Sequence, residues 1–165
     1  MLVTTHVYAG ALIGLAAPDP VSAFAAGAAS HLVLDALPHW GPLPEGDWYP
    51  IARADGLAGL SSILTCALVT PRRRLVRVLA GIAGSAVLDL DKPMRYYFGR
   101  SPWPGWFDRL HVRIQREAPT LLPRDVAVCA ALGGVTVGAL RLSGRTGERG
   151  APRRGAAPIG VGGAA

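Results

Sequence analysis

Five stretches of this chain carry no charge at neutral pH: residues 1–18, 20–34, 56–71, 78–88 and 126–140. A helix needs roughly 20 apolar residues to cross a hydrocarbon core. The first run approaches that length alone. The others reach it when Arg72, Arg77 or Arg141 extends its charged head to the interface from a helix end. Small residues crowd these runs, as in Ala25-Ala26-Gly27-Ala28-Ala29, Gly81 with Ala83 and Gly84, and Gly133, Gly134 and Gly138. They let helices approach closely in a bilayer, whereas glycine in a helix exposed to water costs stability. The expected fold is all-α: a multi-pass membrane helical bundle of about five helices, over 2–17, 20–37, 55–71, 74–91 and 124–142. A soluble helical bundle is the plainer alternative. One membrane-embedded domain over 1–142 and a disordered basic tail over 143–165 complete the expected organisation.

Composition narrows the function classes. Half of the residues are hydrophobic and only 17% are charged, which excludes a disordered polar chain. Cys66 and Cys129, the only cysteines, both lie in apolar runs, which excludes a disulfide scaffold. The net charge of +6 comes almost wholly from arginine, Lys92 being the single lysine. With a mean hydropathy of +0.31, the basic balance points to a lipid surface and the cell membrane rather than to nucleic acid, for which no binding motif is present. Pro18-Asp19-Pro20 joins the first two helices as a tight antiparallel hairpin. Ala23-Phe24-Ala25 has the form of a leader-cleavage site, but the segment before it lacks a basic start, so cleavage is not expected. Tyr96, Tyr97, Trp103, Trp106 and Phe107 lie in the polar segment 92–123 and suit an interfacial belt.

Ionisable residues in or beside membrane helices are candidate functional groups. His31 and Asp35 lie four apart on one helical face, and His39 follows one turn later. Asp89 and Asp91 close the fourth helix, and Asp55 opens the third. If each helix crosses the membrane once, His6, His31, Asp35, His39, Asp55, Asp89, Asp91 and His111 all reach the same face. A mixed imidazole and carboxylate set of this kind suits zinc or manganese better than magnesium. The expected metal ligands are His6, His31, Asp35, His39, Asp89 and His111, with Asp91 or Asp55 as the base that takes a proton from water. Each residue also has a plain structural reading. His31 with Asp35 can be a satisfied buried pair, His6 an interfacial residue, and His39 and His111 packing residues beside aromatics. Asp55 can be a helix cap paired with Arg53. Asp89 and Asp91 stand at a helix C-terminus, where the macrodipole disfavours anions, so Lys92, Arg95 or a metal must compensate. The arginines at 95, 100, 109, 113 and 116 read as the basic side of an amphipathic segment touching anionic lipid.

Three blocks carry a resemblance: Thr4-Thr5-His6 with Ala9-Gly10 and Gly14, then Ser30-His31-x3-Asp35-x-x-Pro38-His39-Trp40, then Asp89-x-Asp91-Lys92-Pro93 followed by His111. Over roughly residues 2–117 the chain resembles the small bacterial membrane-bound proteins described as metal-dependent hydrolases (YdjM-like). Better-known members show a Pro-Asp-x-Asp motif and a second His-rich block, whereas here Leu88 precedes Asp89 and His111 stands alone. The resemblance implies a multi-pass helical membrane protein with a metal-dependent hydrolytic site. A site at the membrane interface suits a small-molecule or lipid-linked, phosphate-containing substrate. The competing class is a non-catalytic membrane protein whose polar cluster holds a structural ion or handles ions or protons.

Overall fold

The structure, a computed structural model, describes residues 1–41 and 48–149. The helices are α1 (Val3–Ala16), α2 (Pro20–Asp35), α3 (Trp48–Val69), α4 (Arg72–Val87), α5 (Asp91–Phe98), α6 (Gly105–Ile114) and α7 (Leu122–Arg149). Two short extended segments, β1 (Pro38–His39) and β2 (Arg116–Glu117), pair in parallel with Pro38 opposite Arg116. The all-α expectation holds apart from this two-residue ladder.

Local chemistry sets the helix ends. Asp19 caps α2: its Oδ1 accepts from the Val21 and Ser22 amides at 2.9 Å each, and Pro20 supplies a first-turn residue with no N–H to satisfy. The Ser22 hydroxyl, 2.6 Å from Oδ2, leads the contacts that hold the Asp19 carboxyl below its ordinary value. α1 begins with Leu2, which has no capping side chain, and α3 supplies the missing acceptor. Asp55 accepts from the Val3 amide at 2.6 Å, the Thr4 amide at 3.2 Å and the Thr4 hydroxyl at 2.6 Å. At the fourth helix the expected span 74–91 breaks: α4 stops at Val87, residues 88–90 tighten into a 3₁₀ turn, and α5 starts at Asp91. Pro93 sits in the first turn of α5, where an absent N–H costs no hydrogen bond. α5 ends at Gly99, whose φ of +70° makes a left-handed cap.

Glycines set how closely α1, α2 and α4 approach. A Cβ on Gly10 would lie 2.5 Å from the Gly81 carbonyl oxygen, and Gly27 of α2 abuts the same carbonyl. α1 packs against α2, α3, α4 and α7. The apolar core is small: Val7, Ala11, Cys66, Val78, Ile82 and Leu140. Much of the rest of the interior is polar, while the outside is apolar. Leu57, Leu60, Leu64 and Leu68 form one stripe on α3, each at least 60% exposed.

The helix ends sort as the antiparallel order requires. Arg77 donates to the Ala17 carbonyl at 2.6 Å and Arg73 to the Ser143 carbonyl at 3.0 Å, which ties the end of α1, the start of α4 and the end of α7 together. At the other end lie the starts of α1, α3 and α7 and the ends of α2 and α4. Two helical stretches, Tyr49–Val69 and Pro119–Arg145, are long and apolar enough to cross a membrane. α1, α2 and α4, at 14, 16 and 16 residues, are about 21–24 Å long, shorter than a hydrocarbon core. The five span-length helices read from the sequence are therefore two, with three shorter helices packed beside them. α7 also continues past the expected boundary at 142, to Arg149; the expected tail from residue 150 onward lies outside the described residues.

Candidate metal centre

His31 and Asp35 occupy one face of the last turns of α2, Asp89 lies in the 3₁₀ turn after α4, and His111 comes from α6. Each offers a ligand atom, all four residues are buried, and the four atoms lie within 4.8 Å of one another. Three make a tight triangle. His31 Nε2, His111 Nε2 and Asp35 Oδ2 are separated by 3.1 Å on every side. Asp89 Oδ1 stands over this triangle, 3.6 Å from His31 Nε2 and 4.0 Å from His111 Nε2. For a tetrahedral ion with bonds of roughly 2.0–2.1 Å, ligand atoms are about 3.3–3.4 Å apart. The observed separations bracket that value.

Protonation makes the triangle informative. His31 Nδ1 is 2.7 Å from the Ser85 carbonyl oxygen, which can only accept, so Nδ1 carries the hydrogen. In the neutral ring the Nε2 lone pair then faces a carboxylate oxygen and a second imidazole nitrogen. His111 Nε2 donates or accepts according to its tautomer; as an acceptor it completes a set of three lone pairs that one divalent ion would join. A ligating histidine whose other ring nitrogen donates to a backbone carbonyl is the usual outer support of a metal site.

The surroundings hold these groups in place. His6 stacks on His31 with ring centroids 4.1 Å apart, and its Nε2 is 3.2 Å from Asp35 Oδ1. The Met1 amino group is also 3.2 Å from that oxygen. Gln115 donates to Asp35 Oδ2 at 3.2 Å. Lys92 Nζ lies 2.9 Å from Asp89 Oδ1. Burial by itself would push the Asp89 carboxyl up, but Lys92 and the nearby imidazoles bring it down to about 2. The Lys92 ammonium is held above its ordinary value, since the surrounding carboxylates outweigh its desolvation. Trp103 Nε1 donates to the Leu88 carbonyl at 3.1 Å, and Arg95 pairs with Asp108 at 2.6 Å. These contacts fasten the segment carrying His111 to the turn after α4 and to α5.

The remaining sequence candidates lie in different surroundings. His6 touches the four-residue group through Asp35. His39 is buried, donates from Nδ1 to the Leu37 carbonyl at 2.8 Å, and its Nε2 meets no partner among the described residues. Burial pushes its imidazole below the ordinary value. Asp91 Oδ1 is buried without a hydrogen-bond partner among the described residues, and burial raises its carboxyl. Asp55 has both carboxylate oxygens engaged at the start of α1. It does cap a helix, but α1 rather than its own. Sequence reasoning missed Ser85 and Gln115. Gln115 had a weak signal, standing four residues after His111, just past the end of α6. Ser85 had none, because its backbone carbonyl does the work.

No protein-family model, curated protein or solved structure matches this chain.

Proposed function

We propose that this chain is a membrane-embedded, metal-dependent hydrolase of the kind its sequence resembles, using a divalent ion, zinc or manganese, on a phosphate-containing or lipid-linked substrate. The observation that carries this reading is the triangle of His31 Nε2, His111 Nε2 and Asp35 Oδ2, with sides of 3.1 Å and a buried carboxylate above it. Two imidazoles and two carboxylates would hold the ion. The apolar exterior of α3 and α7 supports the membrane setting.

The bound ion would supply Lewis acidity, lowering the pKa of a water and polarising a phosphoryl or acyl oxygen. The protein's own part is positional. Ser85 fixes the His31 ring, His6 and Gln115 orient the Asp35 carboxylate, and Lys92 restrains Asp89. Asp91 is the proton acceptor in this reading: its Oδ1 accepts no hydrogen bond among the described residues, and its raised affinity for a proton suits it to take one from water. Asp55 does not fill that part, since its oxygens already accept from α1.

Metal analysis of the detergent-purified protein, with His31→Ala and Asp89→Ala beside it, tests the centre. Wild type retains a stoichiometric divalent ion and both variants lose it; equal metal in all three proteins would remove the site. Hydrolysis of phosphomonoester, phosphodiester and carboxylester probes by the metal-loaded protein, abolished in Asp91→Asn without loss of metal, tests the chemistry. A second reading, a structural ion site, draws on Asp89 as a fourth buried ligand, since closed four-ligand centres are structural. It predicts that chelation lowers the melting temperature sharply and that no probe is turned over.

A further inference from the structure

We infer that the outer face of α6 rests on the phosphate layer of a bilayer, and that this seating clamps His111 into the metal centre. The inference rests on the membrane-embedded, metal-binding reading and names a partner surface of that same site. α6 is two-sided. His111 is buried, and Phe107, one turn before it, packs with ring centroids 6.0 Å apart. By helical spacing Trp106, Arg109 and Arg113 lie on the opposite side, and all three are exposed. Leu110 and Val112 flank them and are exposed as well. The face is thus aromatic and basic in one patch. Among the described residues the ion pairs of lysine and arginine belong to Lys92, Arg95 and Arg124, so Arg109 and Arg113 have none. Asp108, the one carboxylate of α6, is taken by Arg95.

Position selects a bilayer as the partner. The span-length stretch of α3 begins at Tyr49. The Tyr49 ring packs on Tyr96 of α5 at 4.5 Å between centroids, and Tyr96 on Tyr97 at 4.7 Å. This aromatic chain lies where the α3 span would leave the hydrocarbon, the level at which Tyr and Trp collect. The Arg95–Asp108 pair at 2.6 Å ties α6 to α5 and so keeps it near that level. Lipid phosphates are the anions found there, and a guanidinium takes one through two parallel N–H donors. A symmetric contact between two copies through this face would instead bring like faces, and their arginines, together without a carboxylate. His111 then has the ion on one side of its helix and lipid on the other, and outer contacts of this kind orient a ligand.

Fluorescence of the full-length protein in vesicles of phosphatidylglycerol and phosphatidylcholine reads the seating. The Trp106 emission, taken as wild type minus Trp106→Phe, should be quenched by phosphatidylcholine brominated high on its acyl chains and shielded from aqueous acrylamide. Quenching by acrylamide alone leaves the face in water, and quenching by neither leaves it against protein, a second copy included; each overturns the inference. Zinc affinity from a chelator titration reads the clamp. Arg109→Glu with Arg113→Glu should weaken zinc binding several-fold in vesicles and leave it at the wild-type level in a neutral maltoside micelle, which offers no phosphate. Arg72→Glu with Arg74→Glu, the same charge change at the far end of the bundle, should match wild type in both. Affinity in vesicles that ignores Arg109 and Arg113, or falls equally with the far-end pair, sinks the clamp alone. A wild type that holds no ion in either setting sinks the metal reading and the clamp with it, while the quenching still decides the seating.

Discussion

At the scale of single residues, the outer contacts of the cluster are as testable as the ligands. His6 and Gln115 touch Asp35 from two sides, and removing such support from a metal site typically costs about 10–100-fold in metal affinity. His6→Ala and Gln115→Ala should therefore weaken binding in a competitive chelator titration without abolishing it. Asp55→Ala should behave differently. It removes the cap of α1, which costs about 0.5–2 kcal/mol of stability, while metal stoichiometry stays at the wild-type level; a thermal melt paired with metal analysis reads both. These contrasts mark what was legible in the residues. The His31/Asp35 pair announces itself by spacing, and Asp89 and His111 join it through helix order. Asp55 could not be placed, because its partners are amides 51 and 52 residues away, and no local pattern encodes that contact.

At the scale of elements, the crossing of α1, α2 and α4 depends on the absence of side chains. A side chain at Gly81 would meet the backbone of α1, so Gly81→Leu should lower the melting temperature steeply; overpacking of this kind costs about 1–3 kcal/mol or more. Gly134→Ala is the control, since a Cβ there meets nothing within 4 Å. The start of α2 carries a pH dependence. The Asp19 carboxyl is held below its ordinary value of 3.8, so the cap's contribution is fully present above that pH and fades as pH falls through the lower folded value. Asp19→Asn keeps a capping side chain without the charge and should flatten the stability profile below pH 3.8. Helix existence was well marked by the apolar runs. Helix ends were not: α3 starts at Trp48, ahead of the expected 55, because Pro50 is tolerated in a first turn, and the break after Val87 follows no strong local signal.

At the scale of the whole molecule, polarity is inverted: His6, His31, Asp35, Asp89 and His111 are buried, while Leu57, Leu60, Leu64 and Leu68 face out. If that stripe faces lipid, Leu60→Arg places a charge near the middle of α3 at a cost of roughly 2.5–3.5 kcal/mol for insertion, and the membrane-associated fraction on cell fractionation should fall. An unchanged distribution would instead place the stripe against protein or water. Hydropathy made the apolar surface readable from the sequence, yet it overcounted the span-length helices, since apolar composition does not reveal how soon a helix ends. The origin of the donors has one more consequence. Two come from α2 and one from the turn after α4, whereas His111 arrives on a separate arm beyond Gly99. The fourth donor therefore depends on the contacts that hold α6 in place, so loosening those contacts would cost the centre one side and leave the other three.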